Sequence, residues 1–145
     1  MAARLHWLAR AVPVWIAAVW AVGLGTLGLF VVPMLFAWLP APALAGNMAA
    51  HLFGTQTAIS SVCALLLLLL FRSAHELVAP ALAQRCTPWV LAGALLALLV
   101  EFGVSPHIVA RDNLAFWHAL GSAMYLAQWL CALRVFGALA APARD

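Results

Sequence analysis

Charge is what this sequence has least of. Only 8% of its 145 residues are Asp, Glu, Lys or Arg, and all seven basic residues are arginines. Soluble domains carry about 25% charged and about 45–50% apolar residues, whereas 68% of this chain is hydrophobic. This composition excludes a soluble globular domain, because too few groups remain to hydrate its surface. We therefore predict an integral membrane protein whose first partner is the lipid bilayer.

Basic patches and catalytic motifs are also missing. The net charge of +3 comes from arginines that are spread along the chain, so we expect no nucleic-acid partner. There is no P-loop, no H-E-x-x-H and no nucleophile elbow, and the five histidines include no i, i+4 pair. The three cysteines form no C-x-x-C motif, which favours small packing residues. An enzyme is therefore the less favoured class.

Long apolar runs are what the sequence does contain. A helix that crosses a bilayer needs about 20 mainly apolar residues, and four stretches qualify, at about 11–38, 47–71, 88–109 and 113–136. Lipid cannot hydrogen-bond to the backbone, so these stretches must be helices. We predict an all-α integral membrane protein, a single four-helix bundle over residues 1–145. We see no internal repeat and no helices interrupted at matching places in two halves.

The arginines predict the orientation of this bundle. Cytoplasmic connectors carry the excess of Lys and Arg. Six arginines fall on one side of the predicted spans and Arg111 falls alone on the other; the six are Arg4, Arg10, Arg72, Arg85, Arg134 and Arg144. We therefore expect a protein of the bacterial inner membrane with both termini and the middle connector in the cytoplasm.

Small residues predict where the helices meet, because in lipid helices pack closely through them. The first helix carries one such seam, made of Ala17, Ala21, Gly25 and Gly28. The third helix carries a second, made of Ala94, Ala97, Glu101 and Ser105. The carboxylate of Glu101 is therefore predicted to face a neighbouring helix instead of lipid.

Glu101 stands inside the apolar stretch LLALLVEFGV (95–104) and is the most informative residue of the chain. An ionisable residue within a membrane is rare and marks a candidate functional site. At about 1.5 Å per residue, polar residues of the second and fourth helices reach a similar depth in the outer half. The predicted polar cluster consists of Glu101, His118, Gln56, Ser122 and Ser60.

Several roles are open for these residues. Glu101 is either a protonated acid whose hydrogen bonds hold helices together, a partner of protonated His118, or a group needed for its own proton or charge. His118 can equally bond a backbone carbonyl or Ser122. A second set lies at the outer boundary, where solvated interface residues are expected: His51, His107, Arg111 and Asp112. Among them we predict that Arg111 and Asp112 pair with each other or with lipid headgroups.

Two stretches resemble a known family. They are VVPMLFAWLPAPALAGNMAAHLF (31–53) and SPHIVARDNLAFWHALGSAMYLAQ (105–128), and they are similar to the small four-helix bacterial membrane proteins of unknown function related to transmembrane protein 205. The matching residues are Pro33, Leu35, Phe36, Ala45, Gly46, Leu52, Phe53, Pro106, Arg111, Phe116 and His118. Tyr125 stands where that family tends to have an Asn. The resemblance implies the fold and a membrane location, and it brings no activity with it.

Three classes of function remain. The favoured one is a non-enzymatic membrane protein whose polar cluster sets packing or holds a partner, such as another membrane protein or a second copy of this chain. The alternative is a redox or binding protein that holds haem, copper or a quinone at His118 and Glu101; no cofactor is predicted otherwise. The third, a carrier or proton relay through Glu101, is disfavoured because the two halves show no paired interrupted helices.

The predicted orientation has a direct test. Alkaline phosphatase fused after Ala45 or Val109 should be active, because the enzyme would then lie on the outer side. The same enzyme fused after Ala81 should be inactive. Activity only in the Ala81 fusion would reverse the orientation.

Overall fold

A computed structural model describes the backbone of residues 2–74 and 76–141 and the side chains of this range from residue 11 onward. Arg4, Arg10 and Arg144, on which part of the predicted orientation depends, lie outside the described side chains. Six α-helices and two π-helical segments follow one another: α1 Ala2–Thr26, π1 Leu27–Val31, α2 Val32–Trp38, α3 Pro42–Ser73, α4 Pro80–Leu99, π2 Val100–Val104, α5 Ser105–Val109 and α6 Leu114–Ala140.

These elements form four spans, because each π segment continues directly into the next helix. Spans 1 to 4 run over Ala11–Trp38, Pro42–Ser73, Pro80–Val109 and Leu114–Ala140, and all four are long and apolar enough to cross a membrane. The described residues contain no strand. The prediction of an all-α membrane bundle with four spans is therefore confirmed.

Spans 2 and 3 begin earlier than the sequence pattern suggested. Pro42 and Pro80 stand in the first turn of their helices. A proline fits there because its missing N–H would have no partner in the first turn anyway. The connector sequences after these prolines, including Arg85, are therefore part of the helices.

The spans form a ring in chain order. Spans 1 and 2, 2 and 3, and 3 and 4 pack side by side, and span 4 closes the ring on span 1. Residues 39–41 and 110–113 connect the spans at one end, which we call the mouth end. The opposite end, with the chain termini and residues 74–79, is the terminal end.

Packing is inverted relative to a soluble protein. Large apolar side chains face outward, for example Trp15 (69% exposed) and Phe102 (74% exposed). The predicted seam of span 1 is confirmed at Ala17 and Ala21, which are buried in the core of the terminal half. Small residues inside and bulky residues outside are what a bundle in lipid requires, because burial of apolar surface does not drive helices together there.

The two π segments occupy corresponding places in spans 1 and 3. Each ends two residues before a proline, Pro33 in span 1 and Pro106 in span 3. A proline inside a helix lacks the N–H for the preceding turn and clashes with the carbonyl four residues earlier. A π segment inserts an extra residue into that turn. Each π segment thus lies next to a proline, and because both spans continue as helices through it, the expectation that the two halves lack paired interrupted helices stays a prediction.

The pairing extends to a two-fold relation between spans 1–2 and spans 3–4. Each π segment and its proline recur 73 positions later, as Leu27 to Val100 and Pro33 to Pro106 show. Equivalent residues also meet across the centre of the ring. A Cβ built on Gly93 would lie 2.7 Å from the ring of Trp20, which precedes it by the same 73 positions. From the sequence we identified no internal repeat, and this recurring spacing is a feature of the backbone that we did not find there.

Gly93 gives a test of this central contact. The Gly93→Ala variant should be less stable by about 1–3 kcal/mol, because the added methyl group overpacks against Trp20. Gly137→Ala is the control, since nothing lies within 4 Å of that position, and it should be neutral or mildly stabilising. Thermal unfolding of both variants in detergent measures the difference. A Gly93→Ala protein as stable as Gly137→Ala would contradict the packing.

Candidate functional site

A cavity of about 770 Å³ lies at the mouth end, and all four spans line it. Its walls are mainly apolar and come largely from the segments around π1 and π2 and from the first turns of spans 2 and 4. A few polar side chains face the same space, namely Asn47, Glu101, Arg111, His118, Ser122 and Tyr125. An apolar cavity with a few convergent polar groups is the usual form of a small-molecule site.

Span 4 closes the floor of this cavity against span 1. The Tyr125 hydroxyl donates a hydrogen bond to the Leu24 carbonyl oxygen at 2.8 Å, and the Trp129 indole N–H donates to the Ala21 carbonyl oxygen at 3.0 Å. These large rings fit because span 1 offers glycine at the contact. A Cβ on Gly28 would lie 2.8 Å from Tyr125 Cε1. The predicted small seam of span 1 is therefore the surface that receives the aromatic residues of span 4.

Glu101 is the second residue of π2 and points toward span 2. A Cβ built on Gly54 would lie 3.4 Å from Glu101 Oε1, so the absence of a side chain at Gly54 gives the carboxylate its place. Glu101 is partly exposed and lines the cavity. Within the described part of the chain, no hydrogen bond or ion pair to its carboxylate is present. The acid thus faces the cavity without a protein partner.

The predicted polar cluster divides into two groups. His118 and Ser122 lie on span 4 and line the same cavity as Glu101. Gln56 and Ser60 lie deeper, are buried, and do not line it. The oxygen of Gln56 instead packs close to Gly23 of span 1. The structure therefore brings together three of the five predicted residues around the cavity and sends the other two to the core.

The buried group includes a residue that the sequence analysis missed. Gln128 of span 4 donates a hydrogen bond from Nε2 to Ser60 Oγ at 3.1 Å, and Gln56 Nε2 donates to the same oxygen at 3.4 Å. Ser60 thus joins spans 2 and 4 across the ring. The two amides stand 72 positions apart, one position short of the spacing of the two-fold relation. An isolated Gln within an apolar span was the signal that could have identified Gln128.

The four residues predicted at the outer boundary also make different contacts. The His107 ring stacks on Trp117 with a centroid distance of 4.0 Å, and its Nδ1 lies 3.5 Å from Asp112 Oδ2. The predicted pairing of Asp112 with Arg111 is therefore corrected, because the carboxylate faces the stacked His107. His51 Nδ1 lies 2.8 Å from the Asn47 carbonyl oxygen of its own helix. Of the four residues, only Arg111 lines the cavity.

A tight turn explains why Arg111 and Asp112 diverge. Arg111 and Asn113 both have positive φ, 58° and 33°. The Asp112 N–H donates to the His107 carbonyl oxygen at 3.0 Å, which closes the end of span 3. Two left-handed residues in residues 110–113 reverse the chain direction, and they direct neighbouring side chains to different sides.

Potential metal ligands are sparse in the described ranges. No group of three or more His, Cys, Asp or Glu side chains that could hold a metal ion is found there. Cys63, Cys86 and Cys131 are free and buried, as expected for packing residues.

The buried amide network predicts a stability effect. Ser60→Ala should destabilise the bundle by about 1–3 kcal/mol, because two buried amides lose their common acceptor. Ser61→Ala is the matched control, since the Ser61 hydroxyl donates only to the Thr57 carbonyl oxygen of its own helix. Unfolding of both variants by heat or by SDS in mixed micelles compares them. If both variants unfold like the parent, Ser60 does not join the two spans.

Comparison with known proteins adds a family and no activity. No curated protein and no solved structure matches this chain. The model of one family, described as a domain of unknown function (DUF4149), matches residues 15–116. The match includes both π segments, Glu101 and Arg111, and it ends two residues before His118. Because the match covers well over half of the chain, the protein belongs to this small uncharacterised family.

Proposed function

We propose that this protein is a non-enzymatic membrane protein that binds a lipophilic molecule in the mouth-end cavity. The ligand carries a cationic or hydrogen-bond-donating group that meets Glu101. The observation that carries this proposal is the carboxylate of Glu101, which faces an apolar cavity lined by all four spans and has no partner among the described residues.

The chemistry of the cavity supports this ligand class. An ionised carboxylate only accepts hydrogen bonds, and a charge within a membrane costs several kcal/mol unless it is paired or hydrated. A ligand with a donor or a positive charge offsets that cost. The apolar walls and the edge-to-face pair of Phe53 and Tyr125, with centroids 5.1 Å apart, suit an apolar or aromatic body.

The setting of the cavity is part of the same proposal. We place the protein in the bacterial inner membrane with both termini in the cytoplasm, so that the mouth end faces outward. The arginine distribution supports this orientation. Three expectations stay predictions. They are the relation to transmembrane protein 205, an association with another membrane protein or a second copy, and the use of His118 and Glu101 for haem, copper or a quinone.

Transport of the ligand is a second candidate function, and one observation favours it. The π segments followed by Pro33 and Pro106 stand 73 positions apart and flank the cavity. Local departures from the regular α-helix are frequent at functional sites, and membrane carriers place their substrate sites where two halves of the protein meet. The cavity would then be the site around which the halves move.

Two probes of the same shape and opposite charge test the proposed function. The purified full chain should bind tetraphenylphosphonium, a lipophilic cation, more tightly than tetraphenylborate, a lipophilic anion. Glu101→Gln should weaken tetraphenylphosphonium binding roughly 10-fold, because the substitution removes the attraction between the carboxylate and the cation and keeps the shape of the side chain. Equilibrium dialysis in detergent measures both affinities.

Glu76→Gln is the control, since it removes an acid at the terminal end that lies outside the cavity. It should leave both affinities unchanged. Preference for tetraphenylborate, weakened by Arg111→Gln, would assign the cavity to anions and overturn the proposal. In vesicles, Glu101-dependent flux of tetraphenylphosphonium would support transport, and binding without flux would leave the protein a binding protein.

A further inference from the structure

The ring of spans is closed on one side of the cavity and open on the other. In the terminal half, α1 packs along α6, and the bonds from Tyr125 and Trp129 fix that contact. Toward the mouth end, span 1 leaves span 4. There, α2 packs on α3 of span 2, while neither π1 nor α2 packs extensively along α6 in the described residues.

A π segment does not by itself open the ring of spans, as span 3 shows. Span 3 carries π2 and α5 at the same height, and these elements pack on both span 4 and span 2. Gly121 permits part of that contact, since a Cβ there would lie 3.2 Å from Val104 Cγ1. The two halves therefore have the same order of helices, but their contacts differ at the mouth end. There, π2 and α5 pack on both neighbouring spans, whereas α2 packs to a comparable extent only on span 2.

The edges of the opening consist of residues that line the cavity and are exposed at the surface of the bundle. They are Leu29 and Phe36 on span 1, and His118, Ser122 and Leu126 on span 4. We call this opening the side portal. Leu29 and Leu126 are 57% and 51% exposed, so the cavity continues sideways into the space that lipid chains occupy around the spans.

The height of the side portal matches one leaflet. It extends along span 4 from His118 to Leu126, which is roughly 12 Å at about 1.5 Å per residue. Half of a hydrocarbon core of about 30 Å is about 15 Å. The side portal therefore faces the chains of the leaflet at the mouth end, and it is lined mainly by apolar side chains with His118 and Ser122 among them.

We infer that the cavity is loaded from the bilayer through the side portal, and that its occupant is an amphiphile with a hydrocarbon chain. The inference rests on the proposed function and names the ligand class for the same cavity. The chain of the amphiphile enters between Leu29 and Leu126, while its polar group meets the Glu101 carboxylate.

A photoreactive lipid tests this route. The full chain is reconstituted in phosphatidylcholine vesicles that contain a small fraction of phosphatidylcholine with a diazirine on its acyl chain. After irradiation, mass spectrometry should find adducts on the cavity residues Phe53 and Tyr125, in addition to Phe102, which faces outward. Ser122→Trp, which fills the side portal, should lower the adducts on Phe53 and Tyr125 several-fold and leave those on Phe102 unchanged.

Ala119→Trp is the matched control, because it adds the same bulk to span 4 at an exposed position outside the cavity. It should leave all adducts unchanged. Labelling of Phe102 without labelling of Phe53 and Tyr125 in the parent protein would overturn the inference. Equal labelling of the cavity in parent and Ser122→Trp would overturn the route as well.

Tetraphenylphosphonium binding in the same vesicles distinguishes the two proposals. Glu101-dependent binding of this cation without lipid adducts in the cavity would retain the proposed function and remove the lipid route. Adducts in the cavity without Glu101-dependent binding would show that an apolar molecule occupies the cavity. They would also contradict the proposed role of the carboxylate, on which the inference rests. If Ser122→Trp fails to fold, Leu126→Trp at the same side portal replaces it with the same expected result.

Discussion

The arrangement of this bundle depends on two of the prolines inside its membrane spans, the two that follow the π segments. Pro33 and Pro106 each remove one backbone N–H from a helix that must satisfy its own polar groups in lipid. The helix adjusts by a π segment just before each proline. Because both adjustments occur at the same height in spans 1 and 3, they frame one space between the helices. Glu101 reaches that space because it stands within π2.

The terminal half holds the spans together while the mouth half stays open. Trp20, Ala17 and Ala21 are buried where the spans converge, and a shared serine joins two buried amides across the ring. The last bonds between spans 1 and 4 run to the carbonyl oxygens of Ala21 and Leu24, just before π1 begins. Beyond that point, span 1 turns to span 2. The boundary between closed and open halves is thus the point where the regular α-helix of span 1 ends.

The sequence predicts the spans well because length and hydropathy alone determine them. The seam of Ala17, Ala21, Gly25 and Gly28 was also predictable, since close helix contact in lipid requires small residues. The division of the polar cluster was not. Depth along the axis placed Gln56 beside Glu101, but the direction around the helix sends Gln56 to the core with Gln128. The sequence did not reveal the two-fold relation because corresponding positions that face lipid need only be apolar and carry different side chains. The correspondence is visible only in the positions of the two π segments and their prolines.

Glu101 and the residue at the equivalent position in the other half have different roles. Its equivalent in the other half is Gly28, the second residue of π1 as Glu101 is of π2. Gly28 gives its space to the ring of Tyr125, which anchors span 4, whereas Glu101 takes the space that Gly54 leaves on span 2. One half of the pair therefore provides a tight contact and the other provides a carboxylate facing an open cavity. The same position of the π segment is therefore used in two ways around one cavity, for a close helix contact at Gly28 and for an accessible acid at Glu101.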